Sequence, residues 1–147
     1  MALFVHCNYA RLGVVVKDCN GDVIAALSQR TVLPHSVEHA EALAASRAIT
    51  LAKELCLSQM VFEGDCQKVI AAINLTGACH TLFGHSIDEI RCLSSSLVSS
   101  CFVHTRREGN KIAHALARRA VLTADTDVWV EELPSDVEDV FHSEFIQ

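Results

Sequence analysis

Apolar residues recur at three- and four-residue steps between residues 40 and 55 of this chain, which is the spacing of one buried helical face. The pattern predicts a helix over Ala40–Leu55, rich in alanine and leucine, the strongest helix formers. The predicted buried face carries Ala40, Ala44, Ala48, Leu51, Ala52 and Leu55. After a short connection, Gln59–Glu63 has the composition of a strand, and Gly64 and Asp65 end it.

Two carboxylates belong to these elements. Glu41 lies on the edge of the apolar helical stripe, so its side chain is expected to point toward the sheet, and Asp65 lies at a strand end. Carboxylates brought close together repel unless a cation joins them, and oxygen ligands of this kind suit Mg²⁺ or Mn²⁺. A simpler interpretation stays open. Asp65 could be the N-cap of a helix starting at Cys66, and Glu41 a first-turn acid favoured by the helix dipole.

The other elements predict an α/β protein with strands of both orientations. Asn20-Gly21 is a turn signal between two apolar runs and indicates an antiparallel hairpin, whereas the helix followed by Gln59–Glu63 alternates as a βαβ unit does. Asn110 is a favoured N-cap for the last helix, and His114 follows one turn later. The remaining predicted elements are the hairpin strands Leu12–Val16 and Val23–Leu27, the loop Gln29–Ser36, the helices Cys66–Ile73 and Ser86–Leu97, the strand Ser99–Thr105 and the final helix from Lys111 to about Thr123.

Length and composition indicate one globular domain in an intracellular, soluble protein. The chain has 147 residues, half of them apolar, and no apolar run approaches the roughly 18 residues of a membrane span. Its start, MALFVHCNYARLG, has neither a basic n-region nor a sustained apolar h-region. The seven cysteines are scattered singly, which is typical of reduced thiols rather than of a zinc site or a disulfide framework.

Charge is unevenly distributed along the chain. The net charge is −6, yet residues 101–120 carry five basic side chains and one acidic one, and residues 121–147 carry eight acids and no base. Arg106, Arg107 and Lys111 are candidates for holding a phosphate backbone, with Asn110 and the first N–H groups of the helix assisting; a solvated basic loop is the alternative. We expect a domain over residues 1–124 and an acidic tail over residues 125–147. The tail should be loose, docked through Trp129, and able to screen the basic patch.

Three segments together resemble the reverse-transcriptase-like group of type 1 ribonuclease H domains, found in plant genomes and retroelements. The resemblance covers about residues 2–123. It implies a five-stranded mixed sheet with flanking helices, and hydrolysis of the RNA strand of an RNA·DNA hybrid by two divalent ions held by an Asp, a Glu, an Asp and a further Asp. The segments are LGVVVKDCNGDVIAALS, AEALAASRAITLAKELCLSQMVFEGDCQKVIAAIN and VHTRREGNKIAHALARRA.

The resemblance assigns the family's site to this chain residue by residue. Glu41 matches the helix Glu, Asp65 matches the second Asp, and His114 stands at the position of the last Asp, where His is tolerated in relatives although it prefers softer metals than Mg²⁺. The first Asp lies in an Asp-Gly-Ala segment of the central strand, but no Asp precedes Asp18 here. We therefore expect the first, central strand and its ligand to be lacking, with Ala2–Val5 refilling part of the slot.

The expected function is a ribonuclease H-like domain that binds an RNA·DNA hybrid or a double-stranded RNA-like duplex. Glu41, Asp65 and His114 are the candidate catalytic residues, and Glu41 and Asp65 the candidate ligands of Mg²⁺ or Mn²⁺. By family the protein is a hybrid-cleaving endoribonuclease, but loss of the bridging Asp predicts weak or no turnover. The alternative is a non-catalytic interaction module derived from a retroelement, which meets a protein partner through its acidic tail.

Overall fold

The computed structural model of this chain describes residues 1–6, 9–119 and 125–145. Its strands are β1 (Ala2–His6), β2 (Tyr9–Lys17), β3 (Val23–Val32), β4 (Gln59–Gly64), β5 (Ser99–His104) and β6 (Thr126–Val130). Its helices are α1 (Val37–Glu54), α2 (Gln67–Asn74), α3 (Gly84–Ser94), α4 (Lys111–Arg118) and α5 (Ser135–Phe145), and a 3-10 turn over Arg107–Asn110 precedes α4.

The predicted hairpin is present and is longer than the sequence pattern indicates. Asp18 holds its turn, because its carboxylate accepts hydrogen bonds from the backbone N–H groups of Asn20 and Asp22. The prediction of a loop starting at Gln29 is wrong, since β3 continues to Val32, which pairs with Tyr9 at the start of β2. This pairing satisfies backbone groups that a loop would have left to water.

The strands form two sheets instead of the single mixed sheet that the resemblance implies. β1, β2, β3 and β6 make an antiparallel sheet in that order, and β4 and β5 make a parallel pair. Ala2–His6 forms β1, but β1 pairs with Tyr9–Gly13 and not with β4, so the expected refilling of the slot by Ala2–Val5 is not found beyond Gly13. At about 3.4 Å per residue its five residues are too short to extend along the rest of β2. Among the described residues, no strand pairs with Val14–Lys17 on the edge away from β3.

Helices cover both faces of the antiparallel sheet. α1 packs on one face, where Ile49 and Leu51 join the larger hydrophobic cluster with Val14 and Leu27. α4 packs on the other face through Ile112 and Leu116. The approach of α4 to β2 is very close at Gly13, where an added Cβ would lie 2.0 Å from the Ala113 carbonyl oxygen. The last predicted helix thus begins at Lys111 as expected and ends at Arg118, while residues 120–124 lie outside the described residues.

The acidic C-terminal segment is folded onto the domain, which agrees with the expected docking through Trp129 but not with a loose end. β6 extends the sheet by pairing antiparallel with Ala25–Gln29 of β3, and α5 packs against α4. Arg119 joins this segment to the end of α4, because its guanidinium lies 4.8 Å from the centre of the Trp129 ring and 2.9 Å from the Asp136 carboxylate. The proposed boundary at residue 124 falls among the residues that are not described.

Replacing Arg119 by alanine should loosen this segment without unfolding the rest of the domain. The change removes a cation–π contact with Trp129 and the ion pairs with Asp127 and Asp136, together worth on the order of 1 to 2 kcal/mol for partly exposed groups. Amide exchange of Thr126–Val130 should then accelerate by roughly tenfold, since exchange reports local opening. Arg118→Ala is the matched control, as Arg118 is exposed one residue earlier. Equal exchange in both variants would contradict the assignment.

No helix within the described ranges is long and apolar enough to cross a membrane. The cysteines that the structure describes all carry free thiols: Cys19, Cys56, Cys66, Cys79, Cys92 and Cys101. Cys7 lies outside the described residues. The described cysteines therefore agree with the interpretation of scattered, reduced thiols.

Candidate functional site

Glu41 is a buried acid on the inner face of α1. The helix begins after Ser36, whose hydroxyl accepts the His39 N–H, and its first-turn acid is Glu38 rather than Glu41. Only 7% of Glu41 is exposed, and its Oε2 atom has no hydrogen-bond partner among the described residues. Burial, and secondly the charge of Asp65, raise the pKa of Glu41 to about 7. The first-turn interpretation of Glu41 is therefore wrong.

Asp65 follows β4 directly and pairs with His114 of α4. The Nε2 nitrogen of His114 lies 2.8 Å from the Asp65 Oδ2 atom, with both side chains largely buried. α2 starts at Gln67 with Cys66 as its N-cap, so Asp65 does not cap that helix. The structure thus brings two of the three predicted catalytic residues into direct contact, and the third, Glu41, close enough for its pKa to be affected by Asp65.

Asn110 ties the start of α4 to the start of β1. It stands at the N-cap position, but its side chain makes no capping hydrogen bond. Its Nδ2 group instead donates to the Met1 carbonyl oxygen at 2.6 Å, and lies 3.5 Å from Asp65 Oδ1. The amide is buried, so Asn110 positions the site rather than presenting a surface contact. No local pattern of residues indicates the contact between Asn110 and Met1, because the two residues are 109 positions apart.

The amino group of Met1 lies among the acids of the site. Its nitrogen is 3.4 Å from the Asn110 Oδ1 atom and 3.4 Å from the Glu63 carbonyl oxygen. Burial lowers the pKa of this amine to about 6, although the nearby charges of Glu41, Asp65 and Glu63 act in the opposite direction. Below about pH 6 the protonated amine reduces the repulsion between Glu41 and Asp65, whereas above that pH it is mostly neutral.

The predicted basic patch lies beside this site. Arg106 and Arg107 are exposed, and Lys111 is partly exposed. None of the three belongs to an ion pair with the described acids. Arg107 is close enough to act on Glu41, whose pKa it lowers against the effect of burial. The patch therefore remains accessible to an external anion.

The acidic C-terminal segment does not screen this patch in the part of the chain that is described. Its Asp125 pairs with Arg30, and its Asp127 and Asp136 pair with Arg119. These contacts lie on β3 and at the far end of α4 instead of at Arg106 and Arg107. Within the described residues, the acidic segment therefore does not pair with the basic patch that the sequence analysis allowed it to screen.

The donor set does not fit a pair of hydrolytic metal ions. Asp65 and His114 bind each other through an oxygen and a nitrogen, and two further atoms, Glu41 Oε2 and His114 Nδ1, are buried without a hydrogen-bond partner among the described residues. Among the described residues no group of three His, Cys, Asp or Glu side chains could hold a metal ion. Two-ion hydrolysis needs bridging carboxylates on both ions. Glu41 and Asp65 as ligands of one weakly bound Mg²⁺ or Mn²⁺ stay a prediction.

A sequence model of the reverse transcriptase-like family matches residues 4–120, most of the chain. The chain belongs to the reverse transcriptase-like family. Its fold is similar to the crystal structure of RNase H1 from the halophilic archaeon Halobacterium salinarum NRC-1, with a TM-score of 0.70 and 23% identity over 78% of this chain and 89% of the archaeal one. No curated protein sequence matches it. These findings confirm the ribonuclease H-like fold class.

Membership of the reverse transcriptase-like family applies to the region that carries the site. The matched residues include Glu41, Asp65, Asn110 and His114, and they end before β6 and α5. The C-terminal strand and helix are therefore an addition beyond the matched region, attached through Arg119 and the edge of β3.

Proposed function

We propose that this domain binds nucleic-acid duplexes, with RNA·DNA hybrid as the preferred form, and that it cleaves them weakly or not at all. The observation that supports binding is the free basic patch of Arg106, Arg107 and Lys111 next to the Asp65–His114 pair. Guanidinium groups bind phosphate oxygens in a forked geometry, and neutralised phosphates release counterions. A duplex held at this patch has its backbone beside Glu41 and Asp65.

The weak-cleavage part of the proposal follows from the donor set. Two acidic side chains and one histidine replace the four carboxylates of the family, and the histidine is already bonded to one of those acids. Efficient hydrolysis of a phosphodiester depends on stabilising both the attacking and the leaving oxygen. Neither Glu41 nor Asp65 bridges two sites here, so the geometry supports binding better than turnover.

Binding of a labelled RNA·DNA hybrid tests the proposal. Replacing Arg106 and Arg107 together by alanine should weaken binding by about tenfold or more and lower the slope of log K against log salt by about 1 to 2, because each lost phosphate contact releases fewer counterions. The matched control replaces two exposed cations elsewhere, Lys53 and Arg118, and removes the same charge. Equal weakening by both pairs would indicate only a general charge effect and would contradict the assigned surface.

A second candidate function is a protein-interaction module that uses the C-terminal segment. Four acids there, Glu131, Glu132, Glu138 and Asp139, are exposed and take part in no described ion pair. A basic partner would complement them. This candidate predicts no salt-dependent binding of hybrid through Arg106 and Arg107. It also predicts no rise in the thermal unfolding midpoint with Mn²⁺, because an ion that binds the native state would raise that midpoint.

A further inference from the structure

An exposed ion pair lies next to the two candidate catalytic acids. The ammonium group of Lys68, in the first turn of α2, lies 3.2 Å from the carboxylate of Glu38, in the first turn of α1. Glu38 stands one helical turn before Glu41, and Lys68 stands three positions after Asp65. The pKa of the Cys66 thiol, beside Asp65, is raised by burial and then by the charges of Glu41 and Glu38. The ion pair is therefore contiguous with the candidate site.

Lys68 and the basic patch belong to different helix layers. The helices α1 and α2 contribute to the larger hydrophobic cluster, whereas α4 packs in the cluster on the other face of the antiparallel sheet. Lys68 therefore comes from the layer of α1 and α2, and Arg106, Arg107 and Lys111 lie at or just before the start of α4. Arg107 is close enough to lower the pKa of Glu41 against the effect of burial. Exposed cations thus reach the site from both layers.

The ion pair between Lys68 and Glu38 is suited to exchange with an external anion. The Lys68 side chain is 78% exposed, and its flexible four-carbon stem lets the ammonium group change partners. The pKa of Glu38 is lowered, first by a hydrogen bond from its own backbone N–H and then by Lys68, so Glu38 is charged at neutral pH. Exposed ion pairs contribute little stability, so separating this pair costs little. A nucleic-acid strand carries a phosphate every few ångströms, and a duplex bound at the site therefore presents phosphates to more than one cation.

We propose that Lys68 is a further phosphate-binding side chain of the duplex site and that Glu38 competes with the nucleic acid for it. The inference rests on the proposed binding of nucleic acid at Arg106 and Arg107, and it adds one contact and one opposing acid to that site. In the free protein Glu38 holds Lys68. When a duplex binds, the Lys68 ammonium group exchanges the carboxylate for a phosphate oxygen, and Glu38 is left beside an anionic backbone. Glu38 therefore weakens binding.

Binding of a labelled RNA·DNA hybrid by the whole chain and by Glu38→Gln, Lys68→Gln and the double variant tests the inference. Glu38→Gln should bind about two- to fivefold more tightly, because Lys68 no longer has to leave a carboxylate and exposed ion pairs are weak. Adding Lys68→Gln to Glu38→Gln should remove this gain and lower the slope of log K against log salt by about 1, the effect of one lost phosphate contact. Lys68→Gln should weaken binding less when Glu38 is present, since the broken ion pair then offsets part of the phosphate contact.

Glu54→Gln is the matched control, because Glu54 also pairs with a cation, Arg47, toward the other end of α1. It removes the same charge as Glu38→Gln and should leave hybrid affinity unchanged. An equal gain in Glu54→Gln and Glu38→Gln would show only an effect of net charge and would overturn the inference. The circular dichroism spectrum of each variant shows that the fold is retained.

The remaining outcomes separate this inference from the proposed function. Unchanged affinity in Glu38→Gln, in a protein whose binding still depends on Arg106 and Arg107, would overturn the inference and leave the proposed function standing. A gain that persists in the double variant would also overturn it, because Glu38 would then only repel phosphate and Lys68 would have no part. Absence of hybrid binding by every protein at low salt would overturn the proposed function and the inference together. A gain in Glu38→Gln that requires Lys68 supports the competition.

Discussion

Replacing Gly13 by alanine is expected to destabilise the domain by at least about 3 kcal/mol, because the added methyl group has no space. An ideal Cβ at this position lies 2.0 Å from the Ala113 carbonyl oxygen and 2.6 Å from the Ala117 nitrogen, and both atoms belong to the backbone of α4. Backbone atoms cannot move aside as a flexible side chain can. α4 must therefore shift away from β2, and it carries Asn110 at its start and His114 in its second turn.

The free energy of unfolding, measured by chemical denaturation, gives the size of this effect. Gly109→Ala is the matched control, since its added Cβ would meet only the Thr105 hydroxyl at 2.7 Å, a group that can rotate. The control should cost less than about 1 kcal/mol. A Gly13→Ala protein that is as stable as the control would show that α4 does not lie against β2 as described, and the position of His114 beside Asp65 would lose its support.

Substituting Glu41 by glutamine is expected to flatten the pH dependence of stability. Burial, followed by the charge of Asp65, raises the pKa of Glu41 in the folded protein from 4.5 to about 7. The folded state therefore holds this proton more tightly than the unfolded state, and its contribution to stability decreases as the pH rises from about 4.5 to about 7. The penalty at higher pH is on the order of 3 kcal/mol, and the variant should not show it.

Unfolding curves at about pH 5 and about pH 8 for both proteins provide the measurement. The Met1 amino group, whose pKa burial lowers to about 6, gives the opposite slope between pH 6 and 8, and it is present in both proteins. Glu54→Gln at the exposed end of the same helix is the control for loss of one charge. If lowering the pH from about 8 to about 5 changed the free energy of unfolding equally in the wild-type protein and in Glu41→Gln, Glu41 would not be held as a buried acid.

Much of the scaffold could be predicted because local patterns determine it. The alanine and leucine stripe of α1, the Asn-Gly turn and the run Gln59–Glu63 all act within a few residues, and α1, the β2–β3 hairpin and β4 lie where they predict. Glu41 could be placed by its position on the edge of the stripe, and Asp65 by the strand it follows. Each is a consequence of helical or strand periodicity.

The rest depends on contacts between distant residues. The His114–Asp65 bond joins residues 49 positions apart, and the contact between Asn110 and Met1 spans 109. The C-terminal segment has the composition of a solvated tail, yet Trp129 and Arg119 hold it on the sheet, which charge counting alone does not reveal. The division into two sheets reflects the point at which β1 stops pairing with β2, at Ala2 and Gly13. Residue preferences along the strands do not indicate that point.

Cleavage of a labelled RNA·DNA hybrid, first in Mg²⁺ and then in Mn²⁺, distinguishes a domain that only binds nucleic acid from an active nuclease. Hybrid binding and the circular dichroism spectrum are measured on the same preparation. The Glu41→Gln variant is tested in parallel. We expect the protein to bind the hybrid through Arg106 and Arg107 and to cleave it no faster than the Glu41→Gln variant does. Cleavage that is clear in the wild-type protein and vanishes in the variant would show the opposite, because Glu41, Asp65 and His114 would then form a working site.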